Sequence, residues 1–157
     1  MAIVTVETLV KAPLEVCFDL ARDIGVHTQT VWKHTKEKAI AGRTSGLIAL
    51  GETVTFEATH FGIRQTLTSK IVEFDYPVLF TDEMQTGAFA RLRHTHYFRG
   101  EGTNRTVMKD VLAFSSPYGV IGKTFDVLVL ERYMRRFIVS RNEKLKELAE
   151  RTTQITK

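Results

Sequence analysis

Apolar and polar side chains alternate at every second position in the middle of the chain, which is the pattern of β-strands with one buried face. Residues 52–61 show it most clearly, because apolar side chains take every second position as far as His60 and mostly polar side chains fill the others. Residues 91–99 alternate in the same way. Strand-like segments bounded by turn residues predict further strands at 3–10, 36–40, 63–74, 78–84 and 105–115.

Three stretches have the spacing of helices. Apolar positions predict a short helix over residues 14–24, a break at Gly25 and a second short helix over residues 26–32. A much longer helix is predicted from about residue 120 to residue 151. Over residues 120–138 its apolar side chains lie on nearly every side, which is typical of a helix surrounded by the rest of the protein.

The order of these elements predicts an α+β fold in a single domain, residues 1–157. Six successive strands joined by short loops are expected to pair antiparallel, and with the first strand they form a curved seven-stranded sheet. Two short helices follow the first strand. The apolar face of the sheet needs cover, and only the C-terminal helix is long enough to provide it. We therefore expect the sheet to wrap around this helix and to leave an apolar cavity between them.

Composition and charge limit the kinds of partner and the cellular location that we expect. The net charge is +4 and the pI about 9.3, but the basic residues are spread over several segments without a nucleic-acid-binding motif, so we expect no nucleic acid. Cys17 is the only cysteine, which excludes an intramolecular disulfide, and it lies on the apolar stripe of the first helix. No signal peptide and no stretch of about 20 apolar residues is present. We expect a cytoplasmic protein without a membrane span.

Several short motifs in the chain are similar to those of known proteins. They lie at 41–47, 58–63, 80–84, 87–89, 94–98, 102–103, 108, 110, 132–134 and 141–142. Together with the order of elements they resemble the helix-grip superfamily of START-like lipid-binding domains, birch-pollen-allergen proteins and polyketide cyclases. The match looks closer to a bacterial cyclase/dehydrase-like branch. The resemblance implies a deep cavity between sheet and helix, but the branch implies no settled activity.

The inner face of the predicted sheet carries an unusual pair of histidines. Alternation puts His94 and His96 on the same side as Leu92 and Phe98, facing the helix. Histidines at positions i and i+2 of a strand can share a metal ion. Such a site needs at least a third ligand, however, and neither a cysteine nor His60 is near in the chain. We therefore predict no metal and no cofactor.

A carboxylate partner for these histidines depends on the hairpin loop around Gly102. If the loop has an odd number of residues, Asp110 points inward, with His94 opposite Asp110 and His96 opposite Met108. If the number is even, Asp110 faces solvent, because a one-residue slip reverses every side chain. We favour the odd loop, since it turns the larger apolar residues of the last strand inward. An inward Asp110 must then be paired.

Inward-facing positions and large aromatic residues at the cavity mouth define the candidate ligand contacts. Asp82 is included because Phe80 and Met84, two residues away on either side, are apolar. Trp32 and Phe89 are expected either to gate the cavity or to plug the core. The complete set is Trp32, Phe56, His60, Phe80, Asp82, Met84, Phe89, His94, His96, Phe98, Met108, Asp110, Phe125 and Leu128.

Three functional hypotheses follow. The leading one is the binding of a hydrophobic small molecule, such as a lipid, a quinone, an aromatic or a polyketide-like compound. The first alternative is a cyclase or dehydratase that uses His94, His96 and Asp110 for acid–base chemistry. The second is a protein-interaction module that uses the apolar C-terminal helix. We expect a monomer or a homodimer.

Overall fold

A computed structural model, which describes residues 1–156, contains one seven-stranded antiparallel sheet and a long C-terminal helix. The strands are β1 (Ala2–Val10), β2 (Lys38–Gly42), β3 (Thr53–His60), β4 (Ile63–Asp75), β5 (Leu79–Thr86), β6 (Arg91–Gly100) and β7 (Thr106–Ser115). Their order in the sheet is β1-β7-β6-β5-β4-β3-β2. Neighbouring strands in the chain therefore pair from β2 to β7, and β1 closes on β7. The predicted α+β fold class is confirmed.

Two short helices follow β1, namely α1 (Leu14–Arg22) and α2 (Ile24–Thr30), and a 3₁₀ turn (Lys33–Thr35) leads into β2. The predicted helix break at Gly25 is wrong, because the chain leaves the helical conformation at Asp23 instead. Asp23 has extended backbone angles, and its carboxylate accepts a hydrogen bond of 3.1 Å from the backbone N–H of Val26. This carboxylate therefore caps α2 and stops α1 in the same place.

The C-terminal helix consists of α3 (Gly119–Phe125), one π-helical turn (Asp126–Leu130) and α4 (Glu131–Ile155). The buried Asp126 carboxylate of the π-helical turn accepts hydrogen bonds from the backbone and side chain of Ser116, which ties the helix start to the end of β7. The buried face of α4 repeats every three or four residues. Its members are Ile138, Arg141, Asn142, Leu145, Ala149 and Thr153.

The prediction that residues 120–138 are surrounded is wrong for the first part of this helix. Val120 is 81% exposed, Ile121 is 80% exposed and Leu128 is 64% exposed. The reason is position, since α4 packs on β1, α1 and α2, whereas α3 has no comparable neighbour among the strands and the other helices of residues 1–156. One side of the apolar helix start is consequently open to solvent.

The register of β6 against β7 decides which side chains face inward. His96 lies opposite Asp110, and Phe98 lies opposite Met108. The loop spans residues 101–105, so its length is odd as predicted, but it is two residues longer than the predicted pairing assumed. The predicted partners are therefore wrong by two residues. A shift of two keeps every side chain on its face, and Asp110 is buried as the odd loop required.

Two apolar clusters occupy the space between sheet and helices. The first surrounds Phe18 of α1, whose ring packs edge-on against Phe80 at 5.3 Å and also contacts Phe98. Cys17 belongs to this cluster, and burial raises the pKa of its thiol to about 11. The second joins β1, β6 and β7 to the helix through Leu130 and Ile138. Members of both clusters line a cavity.

Candidate functional site

The cavity has a volume of about 310 Å³ and lies between the inner face of the sheet and the C-terminal helix. Its wall is mostly apolar and comes from β3 to β7, the two short helices and the C-terminal helix. The apolar lining includes Ile24, Ile48, Val54, Phe56, Ala58, Leu67, Ile71, Phe80, Phe89, Leu92, Leu112, Phe125, Leu130, Met134, Phe137 and Ile138. The polar lining includes His27, Glu37, His60, Asp82, His94, His96, Tyr133 and Arg141.

Part of the predicted set lines this cavity. These residues are Phe56, His60, Phe80, Asp82, Phe89, His94, His96 and Phe125. Those on β3, β5 and β6 alternate along their strands as the period of two predicted, and Phe89 and Phe125 come from a turn and from α3. Their contact with a ligand stays a prediction.

Other predicted contacts lie elsewhere, and their placement in the cavity is wrong. Phe98 and Met108 face inward but pack in the cluster around Phe18, because α1 covers that end of the sheet. Trp32 packs edge-on against the rings of Tyr133 and Phe137, outside the cavity wall. Met84 packs in the second cluster.

Leu128 is exposed to solvent and does not reach the cavity. Asp110 faces inward but lies behind the two histidines instead of on the wall, since the side chains of His94 and His96 cover it. Its part in the site is therefore to hold these imidazoles rather than to touch a ligand.

Asp110 connects β6, β7 and α4 through two hydrogen bonds and one further short polar contact. Its Oδ1 atom lies 2.8 Å from His94 Nε2 and 2.8 Å from His96 Nδ1. The side-chain amide of Asn142 donates to Oδ2 over 2.6 Å. Burial by itself would raise the pKa of Asp110, but the two histidines outweigh it and hold the pKa well below its ordinary value. Asp110 is therefore a buried carboxylate that fixes both rings.

The two histidines differ in charge because their surroundings differ. Burial lowers the pKa of His94, so its imidazole is neutral near pH 7 and donates its Nε2–H to Asp110. The lone pair is then on Nδ1. Burial also acts to lower the pKa of His96, but its hydrogen bonds to Asp110 and Asp82 outweigh burial and raise it. The distance from His96 Nε2 to Asp82 Oδ2 is 3.3 Å.

Asp82 is also a third potential metal ligand beside these histidines. One ligand atom each from Asp82, His94 and His96 lies within 4.8 Å of the other two. The sequence alone did not predict that Asp82 lies beside the histidines. The pairing of β5 with β6 places Asp82 opposite His94, so the cluster depends on the register of these two strands.

A second polar group lies on the same cavity wall. His27 Nε2 is 2.8 Å from Glu37 Oε1, and His60 Nδ1 is 2.7 Å from the hydroxyl of Tyr133. Burial tends to raise the pKa of Glu37, but the adjacent His27 lowers it overall. Burial lowers the pKa of His60. The buried guanidinium of Arg141 completes this wall.

Sequence reasoning missed several of these polar residues. Arg141 and Asn142 interrupt an otherwise apolar stripe on α4, and a polar pair at such positions is a signal that they face the interior. Tyr133 lies among the motifs of the resemblance without being assigned to the site. Nothing in the local pattern marks His27 or Glu37, because they come from α2 and the turn before β2.

The open end of the cavity is bordered by aromatic side chains. Phe61, in the turn after β3, and Phe125, at the end of α3, both line the cavity, and their ring centroids are 6.0 Å apart. Both rings are substantially exposed. The exposed apolar residues nearby in the chain are Tyr118, Val120, Ile121, Val127 and Leu128, and we call them, with Phe61 and Phe125, the apolar rim.

Similarity to known proteins was found by comparing structures and not by comparing sequences. No family model matches the chain, and no curated protein matches its sequence. The protein TTHA0849 from Thermus thermophilus is 19% identical, with a TM-score of 0.72, covering 93% of this chain and 95% of that one. A START superfamily protein from Mycobacterium smegmatis is 14% identical, with a TM-score of 0.73, and the coverages are 96% and 99%.

The Zhui aromatase/cyclase from Streptomyces sp. R1128 is likewise similar, at 16% identity and a TM-score of 0.74, with 96% of this chain and 94% of that chain covered. At these identities the likeness shows the fold and nothing finer. The chain has the helix-grip fold, as the resemblance predicted. None of the helices within residues 1–156 is both long and apolar enough to cross a bilayer.

Proposed function

We propose that the chain binds a hydrophobic small molecule that carries at least one polar oxygen, in the cavity between the sheet and the C-terminal helix. The observation that carries this proposal is an open cavity of about 310 Å³ whose apolar wall gives way to Asp82, His94 and His96. Such a cavity has the size and lining of a small-molecule site. Lipids, quinones, aromatic compounds and polyketide-like compounds all combine these features.

The apolar wall supplies affinity and the polar cluster supplies orientation. Burying an aromatic ring system of about 150 Å² at about 25 cal/mol per Å² contributes roughly 4 kcal/mol before the costs of binding. The Nδ1 lone pair of His94 is a hydrogen-bond acceptor, so it favours a ligand hydroxyl over a carbonyl oxygen. Asp110 holds His94 in this tautomer.

A cavity-filling substitution tests the proposal. Freshly purified protein is examined by native mass spectrometry for a co-purified molecule, and binding of a fluorescent apolar probe is titrated. Ala58→Leu fills the cavity wall and should weaken probe binding by about tenfold or more, whereas Ala90→Leu makes the same change at an exposed position outside it. Equal binding by both variants would refute a ligand site in this cavity.

The geometry of His94 favours one further candidate, a cyclase or dehydratase. Its Nε2–H is held by the Asp110 carboxylate at 2.8 Å, which leaves Nδ1 as a base on the cavity wall. In this reaction Nδ1 removes a proton from the ligand, the electron pair stays on the ligand, and Asp110 stabilises the imidazolium. Support also comes from the similar Streptomyces protein, which is named an aromatase/cyclase.

The enzyme candidate has its own test. A linear poly-β-ketone substrate is incubated with the protein, and cyclised or dehydrated products are measured by mass spectrometry. Removal of a general base typically slows a reaction by about 10²- to 10⁴-fold, and we expect a loss in this range for His94→Gln. His34→Gln, on the exposed surface, is the control. Unchanged product formation in His94→Gln would exclude His94 as the base.

The apolar rim favours the remaining candidate, homodimer formation through this surface. Large exposed apolar side chains that cluster on one helix mark interaction surfaces in soluble proteins. A dimer would cover the rim and change access to the cavity. Light scattering after size-exclusion chromatography should then give twice the chain mass for the wild type and the chain mass for Ile121→Lys. A wild-type monomer at every concentration would reject this candidate.

A further inference from the structure

Two imidazoles and two carboxylates meet beside the cavity. His94 Nε2 donates to Asp110 Oδ1 over 2.8 Å, which leaves the lone pair of this neutral ring on Nδ1. His96 lies between the carboxylates, with Nδ1 2.8 Å from Asp110 Oδ1 and Nε2 3.3 Å from Asp82 Oδ2. Removal of the proton on His96 Nε2 would turn this nitrogen and the Asp82 oxygen into two adjacent ligands for a cation.

The distance between His96 Nε2 and Asp82 Oδ2 is compatible with this role. A charge-assisted N–H···O bond is usually about 2.7 to 2.9 Å long, whereas these two atoms are 3.3 Å apart. Two ligands of a tetrahedral Zn²⁺ ion, each bonded at about 2.0 to 2.1 Å, are about 3.3 to 3.4 Å apart. The spacing therefore fits two ligands of one metal ion as well as it fits a long hydrogen bond.

The supporting contacts are those of a metal site. Metal-binding histidines usually donate their second ring N–H to a carboxylate, which fixes the tautomer and the ring orientation. Asp110 accepts such a bond from His94 and lies 2.8 Å from Nδ1 of His96, and Asn142 in turn donates to Asp110 over 2.6 Å. The rings of His94 and His96 are thus held in place by β7 and α4 before any ion arrives.

We propose that Asp82, His94 and His96 form a binding site for a divalent transition-metal ion of the Zn²⁺ class, with Asp110 as the carboxylate that orients both histidines. Ligand atoms from the three side chains lie within 4.8 Å of one another. Two imidazoles and one carboxylate suit zinc and its neighbours in the first row. Three protein ligands leave at least one coordination position open, and all three side chains line the cavity.

The local charges agree with a bound cation. Asp82 and Asp110 are two carboxylates within one cluster, and the guanidinium groups of Arg22 and Arg141 also line the cavity. A divalent ion held by Asp82, His94 and His96 would take the place of the proton between His96 and Asp82. It would also offer the open position to an oxygen of whatever molecule enters the cavity, so the metal site goes beyond the proposed binding of an apolar ligand.

Co²⁺ and Zn²⁺ themselves are the probes for the test. The purified full chain is treated with EDTA, dialysed and titrated with Co²⁺, whose visible absorption reports coordination by nitrogen and oxygen ligands. We expect saturation at one equivalent and displacement by Zn²⁺. Asp82→Asn and His96→Gln should each weaken binding by at least about 100-fold, because loss of an orienting residue alone typically costs 10- to 100-fold. His34→Gln should bind as the wild type does.

A measurement on the wild type guards against misfolded variants. Long-range ¹H–¹⁵N spectra of the histidine rings should show Zn²⁺-dependent shifts at a ring nitrogen of His94 and of His96, and none at His34. Three results would overturn the proposal: no saturable binding below millimolar Co²⁺, equal binding by Asp82→Asn and the wild type, or ring shifts confined to other histidines. None of these readouts depends on the organic ligand, so they leave that proposal untouched.

Discussion

Replacing Asp110 by Asn is the sharpest test of how the cluster holds the fold together. The substitution keeps the shape of the side chain but removes its charge. Asp110 is 3% exposed, and its carboxylate accepts hydrogen bonds from His94 and Asn142 and lies 2.8 Å from Nδ1 of His96. An amide in its place turns an N–H toward at least one of these donors. The variant therefore loses a buried charge pair and leaves a donor unpaired.

The expected loss of stability follows from these contacts. A hydrogen bond to a charged group contributes about 1.5 to 3 kcal/mol, and breaking a buried ion pair costs about 3 to 5 kcal/mol. The three bonds do not add, because His96 keeps its contact with Asp82. We expect the free energy of unfolding to fall by about 3 to 5 kcal/mol, which is a large part of the stability of an ordinary domain.

The same loss should depend on pH. Asp110 has a depressed pKa, so its contribution is present above the ordinary value of 3.8 and is lost as the pH falls through the folded pKa. His96 has a raised pKa, so its contribution is complete below the ordinary value of 6.5 and is lost as the pH rises through its folded pKa. The difference between wild type and variant should therefore be greatest between about pH 4 and 6.5.

Urea unfolding of EDTA-treated protein, followed by circular dichroism from about pH 3 to pH 8, measures this difference. Glu101→Gln removes an exposed carboxylate from the same hairpin and should change stability by less than about 0.5 kcal/mol. A loss below about 1 kcal/mol for Asp110→Asn, or a loss that does not vary with pH, would refute the account of this cluster.

Other consequences of the fold can be measured separately. The thiol of Cys17, with its pKa of about 11, should not react with a thiol reagent at pH 8 until the chain is unfolded, and rapid reaction of native protein would contradict its burial. Gly122→Ala should lower stability by about 1 to 3 kcal/mol or more, because an added Cβ would lie 1.9 Å from a backbone carbonyl oxygen. Gly100→Ala, with no contact closer than 4.0 Å, should have a smaller effect in the same thermal melt. Leu130→Lys should unfold the protein at room temperature, whereas Leu128→Lys should leave the melting temperature within a few degrees of the wild type.

Strand content and the inward faces could be predicted because a strand has a strict period of two. Phe56, His60, His94 and His96 were placed correctly from alternation alone, and the parity of one loop decided that Asp110 is buried. The sequence left both parities open, and the odd loop was favoured because it turns the larger apolar residues of the last strand inward. The exact pairing of residues between β6 and β7 is not decided by the loop sequence alone, and its prediction was wrong by two residues.

The helix over residues 120–138 shows where an apolar pattern misleads. Apolar side chains on every side indicate that burial would be favourable, but they do not supply a neighbour to bury them. α3 has no strand packed closely on it, and Val120 of α3 and Leu128 of the π-helical turn remain exposed. Whether an apolar face is covered depends on where its helix lies in the fold.

The chain by itself determined the helix-grip order of elements, the side of the sheet on which each histidine lies, and the burial of Cys17. It left open whether Asp110 faces inward, which the length of the hairpin loop decided. Only the tertiary structure shows that Asp82 contacts His96 and that Asn142 contacts Asp110. It also shows that Phe98 and Met108 pack in the cluster around Phe18 instead of lining the cavity. The physical reason is the distance along the chain over which each effect acts. Side-chain direction follows from backbone geometry over a few residues, whereas a site is assembled by register and packing between segments far apart in the chain.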